Sequence, residues 1–458
     1  MSQKVLYCIV ACCIINCNRK STLDSSDNAG IDLFPFKIYN LFEDGTLDSV
    51  TSEISISDFQ PSSDCGGCHP SQYEEWQKSR HHLSLTNPLF QVILEEDYHK
   101  FGNIGDRFCI QCHSPAMLVT GLFLKDTTEL DETSKAVVND GIGCDICHTT
   151  TNLSSGVNVN SGDLIGADYF LNPGEGIKYG PLQNPESNEY HQSQPNSIFQ
   201  DSKFCLPCHN LIINNVEAEM TFFEWASSPL TDMANNLPCQ SCHMPIIDGH
   251  RNHSFTGVDI DLNLSLDNPL NIQRISEIET LLDTAVSLYF YTETDTVASN
   301  VSPGSNLIIP LTIQSNTAHS IPSGTSFNRE AWVELVVTGN NGEEFCSFGK
   351  IDTNDEPLEY NTENVIFTSW ITNENGDTLV SGLGTMSIED NTLHIFEKKE
   401  YEFHCTIPEE PGELVTISAK MRFRPIKPRI LADYTQYLNN LPVFDFGNIS
   451  ITLEVDTQ

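Results

Sequence analysis

The chain has 458 residues, enough for two or three domains, and carries a formal charge of -40 from 63 acidic and 23 basic side chains. That balance argues against nucleic acid as a partner and against electrostatic docking on anionic lipid. Solubility alone accounts for such a surface; a basic partner or a cationic rim meeting an acidic face is the functional alternative.

Lys4 is followed by an apolar run, Val5 to Ile15, too short to span a bilayer but suited to the hydrophobic core of a signal peptide. Both IVAC, ending at Cys12, and IINC, ending at Cys17, resemble lipoprotein cleavage sites. Ala11 fits the small residue expected before the lipidated cysteine better than Asn16 does, whereas Cys17 leaves the better apolar length. The expectation is a signal peptide and lipobox at 1–17, cleaved just before Cys17, which is then lipidated, with Cys12 or a plain signal peptide as alternatives. Residues 18–57 then form a polar, acidic leader.

From residue 58 to residue 257 one pattern recurs five times: CGGCH (Cys65, Cys68, His69), CIQCH (Cys109, Cys112, His113), CDICH (Cys144, Cys147, His148), CLPCH (Cys205, Cys208, His209) and CQSCH (Cys239, Cys242, His243). A single C-x-x-C pair reads equally as half of a zinc site. Five pairs each followed directly by His do not, and C-x-x-C-H is the attachment signature of c-type haem. Two intervening residues let one helical turn present both sulfurs to the porphyrin vinyl groups, and the next residue becomes the proximal ligand of the iron. Five covalently bound haem c groups are therefore expected, in an exported compartment where such thioethers are made.

Helical patterns in this region are short: YEEWQKSRHHLSL, LFQVILEEDYHKFG and AEMTFFEWASSPL, separated by Gly, Pro and Asn. The cofactor supplies much of the apolar interior that side chains supply elsewhere. Residues 152–200 read as an irregular excursion. Asp267-Asn268-Pro269 starts a helix whose apolar spacing (Ile272, Ile275, Ile278, Leu281, Leu282, Ala285) runs on toward Tyr289, within a linker at 258–292.

Beyond it the period changes to two. LIIPLTIQS, AWVELVVTG, EEFCSFG, NVIFTSWITN, EYEFHCTIP, LVTISAKMRF and ISITLEV are strands, with turns at Asn341-Gly342, Asn375-Gly376 and Pro411-Gly412. Residues 293–458 are thus an all-β, Ig-like antiparallel sandwich. Cys346 and Cys405 lie on its strands, either disulfide-bonded or as two buried thiols. The fold class is mixed: a haem-packed domain of short helices, then a β-sandwich.

Nine histidines lie outside the motifs: His81, His82, His99, His191, His250, His253, His319, His394 and His404. DCGGCHPSQYEEWQKSRHHL resembles the opening of multihaem cytochromes c of the cytochrome c554 type, as do FCIQCHSP, GIGCDICH, the Tyr179–His209 stretch and the Trp225–Gly257 stretch with its R-x-H-x-F-x-G. This resemblance implies that His81, His191 and His253 are distal ligands brought from remote sequence. NTAHSIPSG (Asn316 to Gly324), REAWVELVV and AKMRFRP are similar to the C-terminal domains of many multihaem cytochromes, with Ala318 and Ser323 in place of the usual Gly and Thr. His319 is then a distal ligand from the adjoining domain or part of a structural turn, and His99 competes with it for a remaining iron. Met117 and Met244 read as packing residues.

Two functions follow. One is an electron carrier between redox partners of the cell envelope, requiring no acid, base or nucleophile. The other is an oxidoreductase of a small nitrogen or sulfur oxide at one five-coordinate haem. Pentahaem nitrite reductases attach their catalytic haem through C-x-x-C-K, whereas all five motifs here end in His. A docking module with haems as staples is a third, weaker reading.

Overall fold

The protein is described by a computed structural model covering residues 54–153, 169–214, 216–231, 237–351 and 364–456. The expected signal segment, its Cys12 and Cys17, and the leader up to residue 53 lie outside the described residues. No described helix is long and apolar enough to cross a membrane.

The first half is built of short helices: α1 Ser62–Gly66, α2 Pro70–Gln77, α3 Pro88–Phe101, α4 Asn103–His113, α5 Pro115–Thr120, α6 Glu132–Asn139, α7 Cys144–His148, α8 Thr221–Ser227 and α9 Cys239–His243. Proline at the first turn starts α2, α3 and α5, where its missing N–H loses nothing. α2 stops at Gln77, so His81 and His82 stand on turns, not on the longer helix that the pattern suggests. Four small strand pairs fill the gaps: β1 Thr150–Leu153 with β2 Tyr169–Leu171, β3 Ile177–Gly180 with β4 Gln192–Pro195, β5 Leu211–Ile213 with β6 Val216–Glu219, and β7 Ile246–Ile247 with β8 His250–Arg251.

This half has little side-chain core. Its buried apolar residues form two small groups, one around Ile110 and Met117, the other around Phe59 and Ile146. Met117 is fully buried there as packing.

α10 runs Pro269–Leu282, with the Asn268 side chain accepting from the Leu270 N–H at 3.0 Å. It ends earlier than the apolar spacing suggests, because Val286–Tyr289 is a strand, β9, and its buried face differs too. Asn271, Arg274, Ile278 and Leu282 point inward, while Ile272 is 54% exposed. The reason is polar: Arg274 donates to the carbonyls of Ser254 and Phe255 and pairs with Glu277, and that anchorage fixes the helix rotation.

The second half is two sheets. One has the order β10 (Asn300–Val301), β19 (Phe444–Val455), β18 (Leu414–Arg424), β12 (Glu330–Gly339), β13 (Glu344–Phe348), with β14 (Ile366–Phe367) also on β12. The other is β17 (Lys398–Thr406), β11 (Asn306–Ser315), β9. All pairs are antiparallel except β10 with β19. NVIFTSWITN is broken at Thr368, and its second part, β15 (Ser369–Thr372), pairs with β16 (Ser387–Asp390), a strand that its sequence, SIED, does not announce. Alternation puts Ile309, Leu311 and Ile313 of β11 and Ala331, Val333, Leu335 and Val337 of β12 into one continuous core, which also takes Ile278 and Leu282 of α10. Cys346 on β13 and Cys405 on β17 are joined by a disulfide across the two sheets, Cα to Cα 6.0 Å.

Candidate haem-binding site

Each motif presents its histidine through one helical turn. The His69 N–H donates to the Cys65 carbonyl at 2.8 Å and the His209 N–H to the Cys205 carbonyl at 3.0 Å, while the other three motifs lie in α4, α7 and α9. Two motifs borrow a helix cap from another. Ser62 of α1 accepts the Cys144 N–H at 3.0 Å, and Ser202, just before CLPCH, accepts the Cys239 N–H at 2.9 Å. Thiols of separate motifs lie close enough to shift one another's ionisation: Cys65 with Cys144, Cys112 with Cys208, and Cys205 with Cys239. The motifs converge into one cluster.

The histidines outside the motifs sort by what they face. The ring of His191 lies 6.4 Å from that of His69, His253 6.4 Å from His148, His81 6.4 Å from His209, and His319 6.2 Å from His243, centre to centre. An imidazole bonds a transition metal at about 2 Å, and its ring centre lies roughly 1 Å behind the bonding nitrogen, so two imidazoles on opposite sides of one metal stand about 6 Å apart. The four pairs have the spacing of two axial ligands on one iron, and the residues fit the group that the motifs imply.

Second hydrogen bonds set the ring tautomers. The Nδ1–H groups of His113, His148 and His243 donate to the carbonyls of Ser84, Tyr179 and Thr256 at 2.8, 2.7 and 2.7 Å, and that of His253 to Arg251 at 2.7 Å. A carbonyl only accepts, so Nε2 is left with its lone pair free for a metal. Burial holds these rings neutral: it brings His113 and His253 to about 4, and His81 to about 3 with help from His209. Buried polar atoms without a partner gather in the same region, among them His81 Nδ1, both amide atoms of Asn210, Arg274 Nε and Arg329 Nε. The guanidinium and amide donors are the type that meets carboxylates such as haem propionates.

The sandwich supplies His319 through specific contacts with α8. Glu224 accepts the Ser320 N–H at 2.9 Å and the Ser320 hydroxyl, and Thr221 bonds the Ser323 hydroxyl at 2.6 Å and the Gly324 N–H at 3.1 Å. The turn NTAHSIPSG is thereby pinned with its histidine facing His243.

His99 is a correction. It stands at the surface beside Glu95, 3.7 Å away, and faces no motif histidine, because α3 turns this edge to solvent. The ring that α3 lays on His113 is Phe90, stacked at 3.7 Å and 5°. The other histidines are also placed elsewhere: His82 tilts against Trp76, His250 binds Glu75, His394 lies by Ser320, and His404 pairs with Glu402 on the sandwich surface. Among the described residues no histidine stands opposite His113. Two structural residues carried no sequence signal: Ser84, whose hydroxyl donates to the carbonyls of both His81 and His113 at 2.8 Å, and Glu75, which accepts the His253 N–H at 2.8 Å.

Three of the five motifs fall within the stretch that carries this arrangement's opening. Residues 64–149 match the family of cytochrome c554 and c-prime. The cytochrome c554 match covers CGGCH, CIQCH and CDICH, and it is that of a cytochrome with covalently bound haem. A solved structure, the penta-heme cytochrome c552 from Thermochromatium tepidum, superposes with a TM-score of 0.63 at 16% identity, over 87% of this chain and 100% of that one. At that identity the likeness shows the fold, which is that of a multihaem cytochrome with a β-rich C-terminal part. The human F-spondin reeler domain (13% identity, 38% of this chain, 89% of that one) and a CARDB domain from Pyrococcus furiosus (12%, 38%, 86%) superpose only at TM-scores of 0.17 and 0.15. No curated protein matches.

Proposed function

We propose that the protein is an exported pentahaem c-type cytochrome that carries electrons between redox partners of the cell envelope. The observation that carries this reading is the set of four histidine pairs at 6.2 to 6.4 Å. On this reading His191, His253, His81 and His319 are the distal ligands to the haems of CGGCH, CDICH, CLPCH and CQSCH, which the ring spacing supports. Each haem supplies one-electron cycling of its iron. The chain's own residues attach it through two thioethers, orient its ligands through Nδ1 hydrogen bonds and exclude water from its faces. Two histidine ligands favour a low potential. Convergence of the five motifs, with cysteines of separate motifs close to one another, suits a relay. The partners are redox proteins with a basic face, and the cysteine usage agrees with export, since the Cys346–Cys405 disulfide belongs to an oxidising compartment. Anchoring through a lipid at Cys17, or Cys12, belongs to the same reading, as do the expected boundaries 58–257 for the haem domain and 293–458 for the sandwich.

A second reading rests on the CIQCH haem, to which no second histidine is directed. A five-coordinate iron there would bind a small nitrogen or sulfur oxide. Low-temperature EPR of the oxidised protein, with haem counted as the pyridine haemochrome, tests both. Four low-spin irons and one high-spin iron indifferent to nitrite or hydroxylamine support the carrier. A high-spin signal that shifts on adding either favours the oxidoreductase, and fewer than four low-spin irons would sink the ligand assignment.

A further inference from the structure

Glu219, the last residue of β6, is 7% exposed. Its Oε1 accepts the Thr221 N–H at 3.2 Å, while Oε2 is buried with no hydrogen-bond partner. The β5–β6 hairpin that carries it is tied to CLPCH at both ends. It leaves directly after His209, and the chain beyond it returns to donate from the Phe222 N–H to the His209 carbonyl at 3.0 Å. CIQCH is within reach of its charge. The Cys112 thiol is pushed up by its hydrogen bond to Cys208, by burial, and by the charge of Glu219. Once both cysteines are thioethers, the unpaired oxygen sits on a segment tied to the CLPCH attachment site and within electrostatic reach of the CIQCH one.

The charged groups around Glu219 are few and mostly committed elsewhere. Glu224 of α8 is held by Ser320, and Arg329 from the sandwich is held by the Ser323 carbonyl at 2.7 Å and Asp259 at 2.8 Å. Cys112 of α4 carries no charge as a thioether. Burial raises the Glu219 carboxyl to about 7; hydrogen bonds from Thr221 and the charge of Arg329 oppose this and Glu224 adds to it. The group therefore changes protonation where a neighbouring charge has the most leverage.

We propose that Glu219 is a redox-linked proton acceptor, taking up one proton from solvent when one electron is added at the CIQCH–CLPCH haem pair and releasing it when the electron leaves. This rests on the electron-carrying reading above. The electron comes from a one-electron donor protein, one O–H bond forms on the carboxylate, and the net charge of the site is unchanged. An added electron beside a carboxylate in a medium of low dielectric favours its neutral form, and the orphaned Oε2 is the atom placed to receive the proton.

The test is a spectroelectrochemical titration of the full-length haem-loaded protein from about pH 5.5 to about pH 8.5, around the ordinary and raised ranges of a carboxyl. In the wild type the midpoint of one haem should fall as pH rises. Proton binding tenfold tighter in the reduced state corresponds to about 59 mV between the two limits for a single electron. Glu219→Gln should flatten that dependence, and the reduced-minus-oxidised infrared difference spectrum should lose a carboxylic-acid carbonyl band that the wild type gains on reduction. A slope that persists in the variant, or midpoints independent of pH in the wild type, overturns the proposal. Should Glu219→Gln fail to acquire its haems, the wild-type infrared spectrum decides alone, absence of the acid band being the adverse result. Haems that no one-electron donor reduces at any pH would overturn the electron-carrying reading itself, a different outcome from reducible haems with no proton linkage.

Discussion

His81 shows how much one side chain is asked to do. It stands on a turn, 6.4 Å from His209, with Phe255 4.3 Å from its ring and its Nδ1 buried without a partner. The other nitrogen is the one that the proposed reading gives to the haem of CLPCH. His81→Ala should leave haem content unchanged, since attachment depends on Cys205 and Cys208, and convert one low-spin iron to high spin in the EPR spectrum; an unchanged low-spin count would remove His81 as a ligand. Lys427 is a second residue whose surroundings decide its chemistry. Its ammonium lies 5.1 Å from the Trp370 ring and donates to the Ser369 carbonyl at 3.0 Å, and burial lowers it from 10.5 to about 7, Arg429 adding to the shift. The folded protein therefore holds this proton less tightly than the unfolded chain. Between about pH 7 and about pH 10 the unfolded chain binds more protons, so stability rises with pH, and below that window the penalty is complete and constant. Lys427→Met should remove this rise, which is on the order of a few kcal/mol. Chemical unfolding of both proteins across that range checks it, and parallel pH profiles would show that Lys427 does not titrate in the window.

At the scale of elements, what could be read from sequence and what could not divide by the range of the interaction. The C-x-x-C-H turns and the alternating strands are local patterns, and both stand in the structure where the residues put them. Gly342 and Gly376, at φ +81° and +82°, close the turns that Asn-Gly announced. α10 was legible as a helix but not in its rotation, because Arg274 is anchored to carbonyls about twenty residues away in sequence. From sequence both His99 and His319 stay open for a remaining iron; α8 grips Ser320 and Ser323 across a hundred residues and so holds His319 facing His243, while His99 stands at the surface. The disulfide is of the same kind: strand assignments put Cys346 and Cys405 in the sandwich, but only the packing of two sheets brings them within 6.0 Å. It closes 59 residues of chain, a constraint on the unfolded state of about 4 kcal/mol in the chain-entropy account. Cys346→Ser with Cys405→Ser should therefore lower the midpoint of sandwich unfolding in denaturant by an amount equivalent to about 3 kcal/mol, with haem spectra unchanged. A loss below about 1 kcal/mol would place the sandwich's stability in its apolar core alone.

The whole molecule divides its stability unevenly. The core that contains Ile309, Leu335 and Ile417 also takes in Ile278 and Leu282 of α10 and reaches Leu89 of α3, so the sandwich and the segment before it are held by buried side chains. Around the five motifs, the buried apolar clusters among the described residues are two small groups near Ile110 and Phe59, with scattered others such as Trp76, Leu94 and Phe222. Hydrophobic stabilisation scales with apolar area removed from water, and two such groups fall well short of the conformational entropy of some two hundred ordered residues. On the proposed reading porphyrins bridge that deficit, by covering apolar side chains and, in the four cases where two histidines face each other, by tying remote segments together. Protein made without haem attachment should consequently keep the sandwich folded and lose the first half. Hydrogen exchange is the direct measurement. Amides of β11, β12, β18 and β19 should stay protected in the haem-free chain, while those of α4, α7 and α9 exchange as an unfolded chain does. Uniform protection would mean that the first half carries its own core after all, and uniform loss would mean that the sandwich depends on its contacts through His319, Glu224 and Arg329. Between those limits, the expected pattern makes the order of assembly follow from the energetics: the sandwich folds on its own, and the NTAHSIPSG turn then waits for the fifth haem to bring His243 opposite His319.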